Sequence, residues 1–292
     1  MINFRYHLVS IAAILLALAA GVALGSGPLN DAGSTLRGDN ATAGATDPAL
    51  LSFENSYAAR TSMPLFKSAL KGQSVVMITM PGASAADARS ISTLLQQADA
   101  EVTGQIEVTS KLLSSANRQF AEGVAQQAAI GVAGVGAAGD SYGRVGAALG
   151  RAILSDKTAA LDPTARTIRS AFVEGGLITL TSPPTKLATL AVLVTAPKGS
   201  AASDQGSVVA AMVAALDLSG KGIVVAGPVS SSTDGGIVKA VRDSDAAGTV
   251  STVDVIDTAA GRVVAVLAAA KEGAGQSGAW GTSRSADGAL PD

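Results

Sequence analysis

The longest uninterrupted apolar stretch of the chain lies close to its N-terminus. No charged residue occurs from Leu8 to Gly27. Twenty helical residues rising about 1.5 Å each span roughly the 30 Å of a bilayer's hydrocarbon core. Arg5 precedes the run and Asp31 is the first charge after it, which predicts a cytoplasmic N-terminus and an extracytoplasmic remainder. The pattern predicts a single-pass membrane anchor over residues 1–27, with membrane lipid as a partner.

A cleaved signal peptide is the alternative for this segment. Ala17-Leu18-Ala19 has the small-x-small pattern of a cleavage site, although a cut there would fall inside the apolar run. The length of the run favours the anchor.

The pattern changes twice before the folded domain begins. Residues 28–46 are rich in Gly, Ala, Ser and Thr without apolar periodicity, which predicts a flexible tether. Asp47-Pro48 is a helix start signal, and Leu50, Phe53 and Tyr57 follow it at helical spacing. Residues 47–73 are therefore predicted to be a helical stalk, with Pro64 opening its second part.

A strand–turn–helix–strand pattern begins at Ser74. A short apolar run covers Val75–Met80, and the Ser84-x-x-Asp87 cap leads into a helix with apolar residues at helical spacing. Glu101–Val108 then alternates as a second strand. Such a βαβ unit predicts parallel strands joined by a right-handed crossover.

The same alternation returns in the C-terminal half. Apolar strands are predicted at Leu187–Thr195, Gly222–Ala226 and Val250–Ile256, and helices at Ser203-Asp204, Thr233-Asp234 and Ala259–Lys271. Strands that are apolar on both faces belong inside a sheet covered by helices on both sides. The pattern predicts an α/β fold with a mostly parallel sheet, Rossmann- or flavodoxin-like, preceded by one transmembrane helix. This domain covers residues 74–272 with a mainly helical insert at 110–171, and 273–292 form a C-terminal tail around Trp280.

The composition of the chain argues against several classes of function. The 292 residues carry a net charge of -2 and no cysteine, so there is no broad basic surface for nucleic acid, no disulfide and no thiolate chemistry. The only histidine, His7, precedes the predicted anchor, which leaves the outer domain without a Ser-His-Asp triad. Neither Ser-x-x-Lys nor Gly-x-Ser-x-Gly occurs. We therefore expect no enzyme and no catalytic residue.

Two patterns in the sequence can be interpreted either as a binding site or as ordinary structural residues. Gly134 to Gly139 matches the dinucleotide-binding fingerprint by letter, with Asp156 downstream, but no strand is predicted to enter that loop. Met77 and Met80 lie three apart in a predicted strand, so they point to opposite faces and form no thioether pair for copper. We expect no cofactor and no metal site here.

One weak candidate site remains at the carboxyl ends of the predicted strands. The loops leaving parallel strands line a crevice where backbone N–H groups can hold a small anion. The candidate residues are Ser84, Ser203, Thr233 and Asp234. Ordinary helix capping explains the same residue types and is the preferred alternative.

Several segments resemble a known family. They are Phe4-Arg5-Tyr6-His7, Leu24-Gly25-Ser26-Gly27, Thr79-Met80-Pro81-Gly82-Ala83, Ser251-Thr252-Val253-Asp254 and Thr258-Ala259-Ala260-Gly261-Arg262. With these segments the chain resembles, almost end to end, the mycobacterial copper transport protein B family. The resemblance implies a role in copper homeostasis or efflux in the actinobacterial cell envelope, with copper as a partner.

Two functional hypotheses follow. In the first, the protein contributes to copper homeostasis as the resemblance implies. In the second, resembling a related branch, the domain is a non-catalytic binding module or scaffold that assists cell division and peptidoglycan hydrolysis. Its partner would then be an envelope or division protein.

Overall fold

The computed structural model describes residues 48–136, 139–199 and 205–292. The predicted membrane anchor over 1–27 and the predicted tether over 28–46 lie outside these residues. Within the described ranges, none of the helices combines the length and apolarity needed to cross a bilayer.

A seven-stranded sheet forms the centre of the domain. Its strand order is β4-β2-β1-β6-β7-β8-β9, and every neighbouring pair is parallel except β2 and β4. A separate two-stranded antiparallel ladder joins β3 to β5. The strands are β1 (Ser74–Thr79), β2 (Glu101–Val108), β3 (Ala159–Ala160), β4 (Ile178–Ser182), β5 (Lys186–Leu187), β6 (Leu190–Val194), β7 (Gly222–Ala226), β8 (Ser251–Val253) and β9 (Ala279–Trp280).

Helices occupy the connections and the N-terminal end of the described chain. They are α1 (Pro48–Thr61), α2 (Met63–Phe66), α3 (Ala85–Gln97), α4 (Ser110–Leu113), α5 (Arg118–Ala128), α6 (Ser141–Ile153), α7 (Pro163–Glu174), α8 (Gln205–Asp217), α9 (Ile237–Arg242) and α10 (Ala259–Gly273). Three short 3₁₀ turns cover Ser115–Asn117, Val229–Ser232 and Asp245–Gly248.

The central strands are buried on both faces because their side chains alternate between two cores. Val75 and Met77 of β1 pack with α3 and α10, whereas Val76 and Ile78 pack with α6 and α8 on the other face. Successive strand residues point to opposite sides of a sheet, so a continuously apolar strand serves both layers. The predicted α/β architecture with helices on both faces is confirmed.

The edges of the sheet differ from the sequence-based expectation. β4 was not predicted, and only Ile178 is buried among its five residues, so its sequence lacks the apolar run that identifies the central strands. The tail contributes β9, which pairs in parallel with β8 through Trp280, where a loop was expected. Leu187 belongs to β5, and the buried strand β6 begins three residues later at Leu190.

Candidate functional site

The carboxyl ends of β1, β6, β7 and β8 meet at one edge of the sheet. β1 is followed in sequence by β2 on one side, but its neighbour on the other side is β6. The winding direction therefore reverses between β1 and β6, which is where open α/β sheets form a ligand crevice. The loops after Thr79, Val194, Ala226 and Val253 reach this edge, as predicted.

Ser84 acts as a helix cap at this edge. Its side chain is exposed, and its Oγ accepts a hydrogen bond of 3.2 Å from the backbone N–H of Asp87 at the start of α3. This bond satisfies one of the unpaired N–H groups of the first helical turn. Ser203 lies outside the described residues, so only the first of these two predicted residues can be placed.

Thr233 and Asp234 do not open a helix, and that prediction was wrong. Thr233 ends the 3₁₀ turn at Val229–Ser232, and its Oγ1 donates to the carbonyl oxygen of Ser230 at 2.8 Å. The helix α9 starts at Ile237 with Gly236 as its N-cap. A Cβ at Gly236 would overlap the backbone of Ser231, so only glycine fits at this N-cap.

The crevice contains a buried hydroxyl group that was not predicted from the sequence. Thr195 follows β6, is 1% exposed, and its Oγ1 has no hydrogen-bond partner. It lies against Gly227, whose missing side chain leaves room for the Thr195 Oγ1 and the Ser231 Oγ. The Ser231 hydroxyl donates to the carbonyl oxygen of Pro228 at 2.6 Å. The only signal in the sequence for this hydroxyl was a threonine at the end of an apolar strand. The preference of threonine for strands explains that position equally well.

One basic side chain near these loops is already paired. Arg262, in the first turn of α10, forms an ion pair of 2.9 Å with Asp87 of α3 and donates to the carbonyl oxygen of Ile256 at 2.9 Å. The two paired side chains are 17% and 21% exposed. This guanidinium therefore joins two helix starts, and an anion in the crevice would have to compete with Asp87 for it.

The N-terminus of α10 is capped twice. Thr258 Oγ1 accepts from the N–H of Gly261 at 3.0 Å, and Asn55 Oδ1 of α1 accepts from the N–H of Ala259 at 2.8 Å. Two of the first N–H groups of this helix are thus occupied. The second bond also fastens α1 to the domain.

Next to this edge lies a buried ionic cluster. Arg242 at the end of α9 contacts Asp254 just after β8, with Nη1 and Oδ2 2.6 Å apart. Burial opposes ionisation of Asp254, but hydrogen bonds from Ser283, from the Thr282 N–H and from Arg242 prevail and lower the pKa of its carboxyl group. Arg242 also donates through Nη2 to the carbonyl oxygen of Trp280 at 3.0 Å. The cluster holds the C-terminal tail against the sheet.

One buried and one half-buried carboxyl group lie at the opposite edge of the sheet. Glu272 of α10 is 3% exposed, and its Oε1 accepts from the N–H of Ser251 at 2.6 Å. Burial and, less strongly, the nearby charge of Asp217 together raise the pKa of Glu272 to about 7, against the lowering effect of the N–H and hydroxyl groups of Ser251. Burial also raises the pKa of Asp217. Burial therefore raises the pKa of both carboxyl groups, that of Glu272 into the neutral range.

The described residues offer no clear metal site. Among them, no group of three or more His, Cys, Asp or Glu side chains could hold a metal ion. Met77 and Met80 are both buried, but they belong to the cores on opposite faces of the sheet. The prediction that these two side chains point to opposite faces of the sheet is confirmed.

The structure describes the Gly-rich segment before α6 only in part. In its described part, Gly131 to Gly136 form turns after α5, and no strand enters the loop. Asp140 caps α6 by accepting from the N–H of Gly143 at 2.6 Å. The fingerprint requires a strand before the loop, so the match by letter is a chance one.

Two grooves flank α8 on the outer surface of one helical layer. One, of about 640 Å³, includes Arg151, Asp156 and Leu218 in its wall. The other, of about 660 Å³, includes Asp243 and Leu218. Arg151 is paired with Asp162 at 2.7 Å and Asp243 with Lys239 at 2.6 Å, so these two charged groups of the walls already have partners.

Comparison with known proteins identifies the family. A family model described as "Copper transport outer membrane protein, MctB" matches residues 1–291. The protein named "Copper transporter MctB" of Mycobacterium tuberculosis (strain ATCC 25618 / H37Rv) is 30% identical over 293 residues, covering 92% of each chain. The protein of that name in Mycobacterium leprae (strain TN) is 29% identical over 297 residues, covering 91% of this chain and 92% of its own. The chain therefore belongs to the MctB family.

Proposed function

We propose that this protein serves copper homeostasis in the cell envelope as a membrane-tethered, non-catalytic module that acts through contacts with other protein chains. Family membership supports the copper role, because the relatives are named copper transporters. The charge-free run from Leu8 to Gly27 supports a membrane anchor with a cytoplasmic N-terminus and an extracytoplasmic domain.

The observation that carries this proposal is a contrast between the crevice and the stalk helix. At the crevice, Ser84 and Arg262 are engaged in capping and ion pairing within the domain. On α1, by contrast, Phe53 and Tyr57 are 67% and 62% exposed. Large apolar side chains exposed together mark protein or membrane contact sites. A module that binds another chain fits this distribution better than one that turns over a small substrate.

The small number of copper-ligating residues supports an indirect role in copper handling. Copper prefers His, Cys and Met ligands, whereas the chain has one His and no Cys, and Met77 and Met80 are buried in separate cores. The domain would then support a copper-handling partner without coordinating the ion itself.

The first test is titration of the full chain in detergent or nanodiscs with Cu(I) and Cu(II), followed by calorimetry and thermal melting. We expect no saturable binding. Binding of one ion at micromolar affinity, with the melting temperature raised as linkage requires, would overturn indirect handling and make direct coordination the mechanism.

The second test is genetic. Deletion of the gene should make growth sensitive to added copper, and the full chain should restore tolerance. A matched pair of exposed variants on α1, Phe53→Ala with Tyr57→Ala against Ser52→Ala, separates the contact surface from general effects of mutation. Loss of tolerance with the aromatic variants alone supports the module. Unchanged growth of the deletion strain in copper would contradict the copper role.

The exposed aromatic residues also support a second function, because a protein-binding surface needs no copper. In that case the module assists cell division and peptidoglycan hydrolysis as a scaffold. A septation defect in the deletion strain that is independent of copper, with copurification of a hydrolase or division protein, would favour this function. A defect that appears only with copper would exclude it.

A further inference from the structure

The carboxyl group of Glu272 is buried where α10 meets the starts of two strands. Its Oε1 accepts a hydrogen bond of 2.6 Å from the N–H of Ser251, the first residue of β8. A Cβ at Gly222, the first residue of β7, would overlap the same side chain. Glu272 therefore fills the space that this glycine leaves, and it joins three elements at the N-terminal edge of the sheet.

No basic side chain neutralises this carboxyl group. Among the residues that the structure describes, no ion pair includes Glu272. Lys221 precedes β7, but its Nζ donates to Gln73 Oε1 at 3.2 Å. Lys271 precedes Glu272 in α10 and points about 100° away around the helix axis. The charge that acts on Glu272 is the negative charge of Asp217 at the end of α8, so burial and a like charge both oppose its ionisation.

The other charged residues around α10 are paired, exposed or distant. α10 packs against α2, α3, β6, β7 and β8, and of these elements only α3 carries charged residues. On α3, Asp87 pairs with Arg262, which precedes Glu272 on α10 by almost three helical turns, or about 15 Å. Arg89 of α3 donates to a carbonyl oxygen of its own helix. Asp245, in the 3₁₀ turn before β8, is exposed.

A neutral carboxyl group also suits the neighbouring hydroxyl. Ser251 is 0% exposed, and its Oγ has no hydrogen-bond partner, although it lies close enough to Glu272 to affect the pKa of that carboxyl. A protonated carboxyl group has a donor as well as an acceptor, whereas a carboxylate has acceptors only. The protonated form can therefore accept from the Ser251 N–H and offer its proton to the Ser251 hydroxyl.

The strand that Glu272 holds is short and lies near the edge of the sheet. β8 has three residues and β9 has two. The start of β8 also orders the tail, because the Thr252 N–H donates to the Gly278 carbonyl oxygen at 2.9 Å and the Ser277 hydroxyl donates to that of Gly248 at 2.9 Å. The central strands β1 and β6 are buried along their whole length. Segments with few contacts open at a lower free energy than the core.

We propose that Glu272 is a pH-controlled latch: with its proton it holds the starts of β7 and β8 against α10, and without it the β8–β9 edge opens while the central sheet stays folded. The chemistry requires only a proton from the surrounding solution. The tail after α10 is the segment that this opening releases.

The direction of the pH effect follows from the two states of the latch. In the open state the carboxyl group reaches water, and its pKa has the ordinary value of 4.5, whereas in the closed state the pKa is about 7. The closed state therefore binds the proton more tightly and is favoured at low pH. Its advantage falls about tenfold per pH unit as the pH rises from 4.5 to 7, and it stays constant at higher pH.

The experiment measures opening at two positions of the full chain in detergent. Because the sequence contains no cysteine, a single introduced thiol reports its own site. Val250→Cys is buried just before β8, and Val76→Cys is buried in β1. The rate of labelling by dithiodipyridine, relative to the same variant unfolded in urea at the same pH, gives the protection of each thiol. We expect at least tenfold less protection at Val250→Cys, falling about tenfold per unit from pH 5 to pH 7 and then levelling.

Two further variants identify the group responsible. In Glu272→Gln the side chain stays neutral, so the protection of Val250→Cys should no longer change with pH, whereas Glu107→Gln, on an exposed carboxylate, should leave the change intact. If Glu272→Gln does not fold, Asp217→Asn replaces it, and loss of the like charge should move the levelling point to lower pH.

Three outcomes would overturn the proposal. Equal protection at the two cysteines would mean that Glu272 acts only through global unfolding. An unchanged pH dependence in Glu272→Gln, or in Asp217→Asn where that variant replaces it, would assign the effect to another group. Constant protection of Val250→Cys from pH 5 to pH 7 in the wild-type background would show that no latch operates.

Discussion

Arg242 and Asp254 form a buried ion pair in which Nη1 and Oδ2 are 2.6 Å apart and the side chains are 4% and 0% exposed. The same guanidinium donates to Thr252 on β8 and to the carbonyl oxygen of Trp280 on β9. The Asp254 carboxylate accepts from the tail through the Thr282 N–H at 2.7 Å and the Ser283 hydroxyl at 2.6 Å. One ion pair thus joins α9, β8 and the tail.

Replacement of Arg242 by Met should destabilise the protein by about 3–5 kcal/mol, because it leaves the carboxylate of Asp254 buried without its counter-charge. The tail should loosen at the same time. Urea unfolding measures the loss of stability. The fluorescence emission of Trp280, the only tryptophan, should shift to the red if the tail loosens. Lys239→Met breaks an exposed i,i+4 pair with Asp243 and should cost less than about 0.5 kcal/mol. Equal effects of the two variants would contradict this role.

The Glu272→Gln variant should gain stability relative to the wild type as the pH rises. Folding raises the pKa of Glu272 from 4.5 to about 7, so between these values the folded state binds more protons than the unfolded state. The wild type therefore loses stability as the pH rises through this range. Since one pKa unit corresponds to about 1.4 kcal/mol, the loss is on the order of 3 kcal/mol.

Unfolding of both proteins in urea from pH 5 to pH 8.5 checks this prediction. Glu107→Gln, on an exposed carboxylate of β2, controls for the loss of a charge alone. A constant difference between Glu272→Gln and the wild type across this range would show that Glu272 does not carry the effect.

Gly261→Ala should destabilise the start of α10. A Cβ at this position would overlap the carbonyl oxygen of Val255, and relief requires a backbone shift that costs about 1–3 kcal/mol. Gly248→Ala is the matched control, because nothing lies within 4 Å of a Cβ there. The denaturation midpoint should fall for Gly261→Ala and stay nearly unchanged for Gly248→Ala. If Gly261→Ala left the denaturation midpoint unchanged, the loop before α10 would have shifted at little cost to accommodate the added Cβ.

Ser84→Ala tests whether the crevice residue is a cap or an anion ligand. As a cap it should cost about 1 kcal/mol, much like Thr258→Ala at the start of α10, with thermal stabilisation by sulfate or phosphate unchanged. Melting curves with and without these anions decide the matter. If Ser84→Ala abolished stabilisation by phosphate while Thr258→Ala did not, Ser84 would be a ligand and the capping interpretation would be wrong.

The sequence predicted the interior of the fold well and its edges poorly. β1, β6 and β7 are short apolar runs with both faces buried, and such runs separated by amphipathic segments indicate a parallel sheet whatever the details of packing. β4 pairs only at the edge and has a largely exposed sequence, so no apolar run revealed it. The start of α9 was misplaced because Thr233 and Asp234 have the residue types of a helix start but lie between a 3₁₀ turn and the helix.

The positions of the crevice loops were predicted from the sequence, but their interactions were not. Parallel strands bring their carboxyl ends to one edge, so the loops could be located from their positions in the chain. The pairing of Arg262 with Asp87 joins residues 175 positions apart, and no spacing in the sequence indicates it.

By itself the sequence determined the alternation of strands and helices, the apolar run near the N-terminus, the scarcity of histidine and the absence of cysteine. These follow from local periodicity and composition, which each segment carries independently of its neighbours. Only the tertiary structure decided that Arg242 meets Asp254 and the tail, that Glu272 is buried beside Ser251, and that α1 turns Phe53 and Tyr57 outward. Each of these depends on which distant segments share a surface, because burial and the nearest charge are properties of the packed chain.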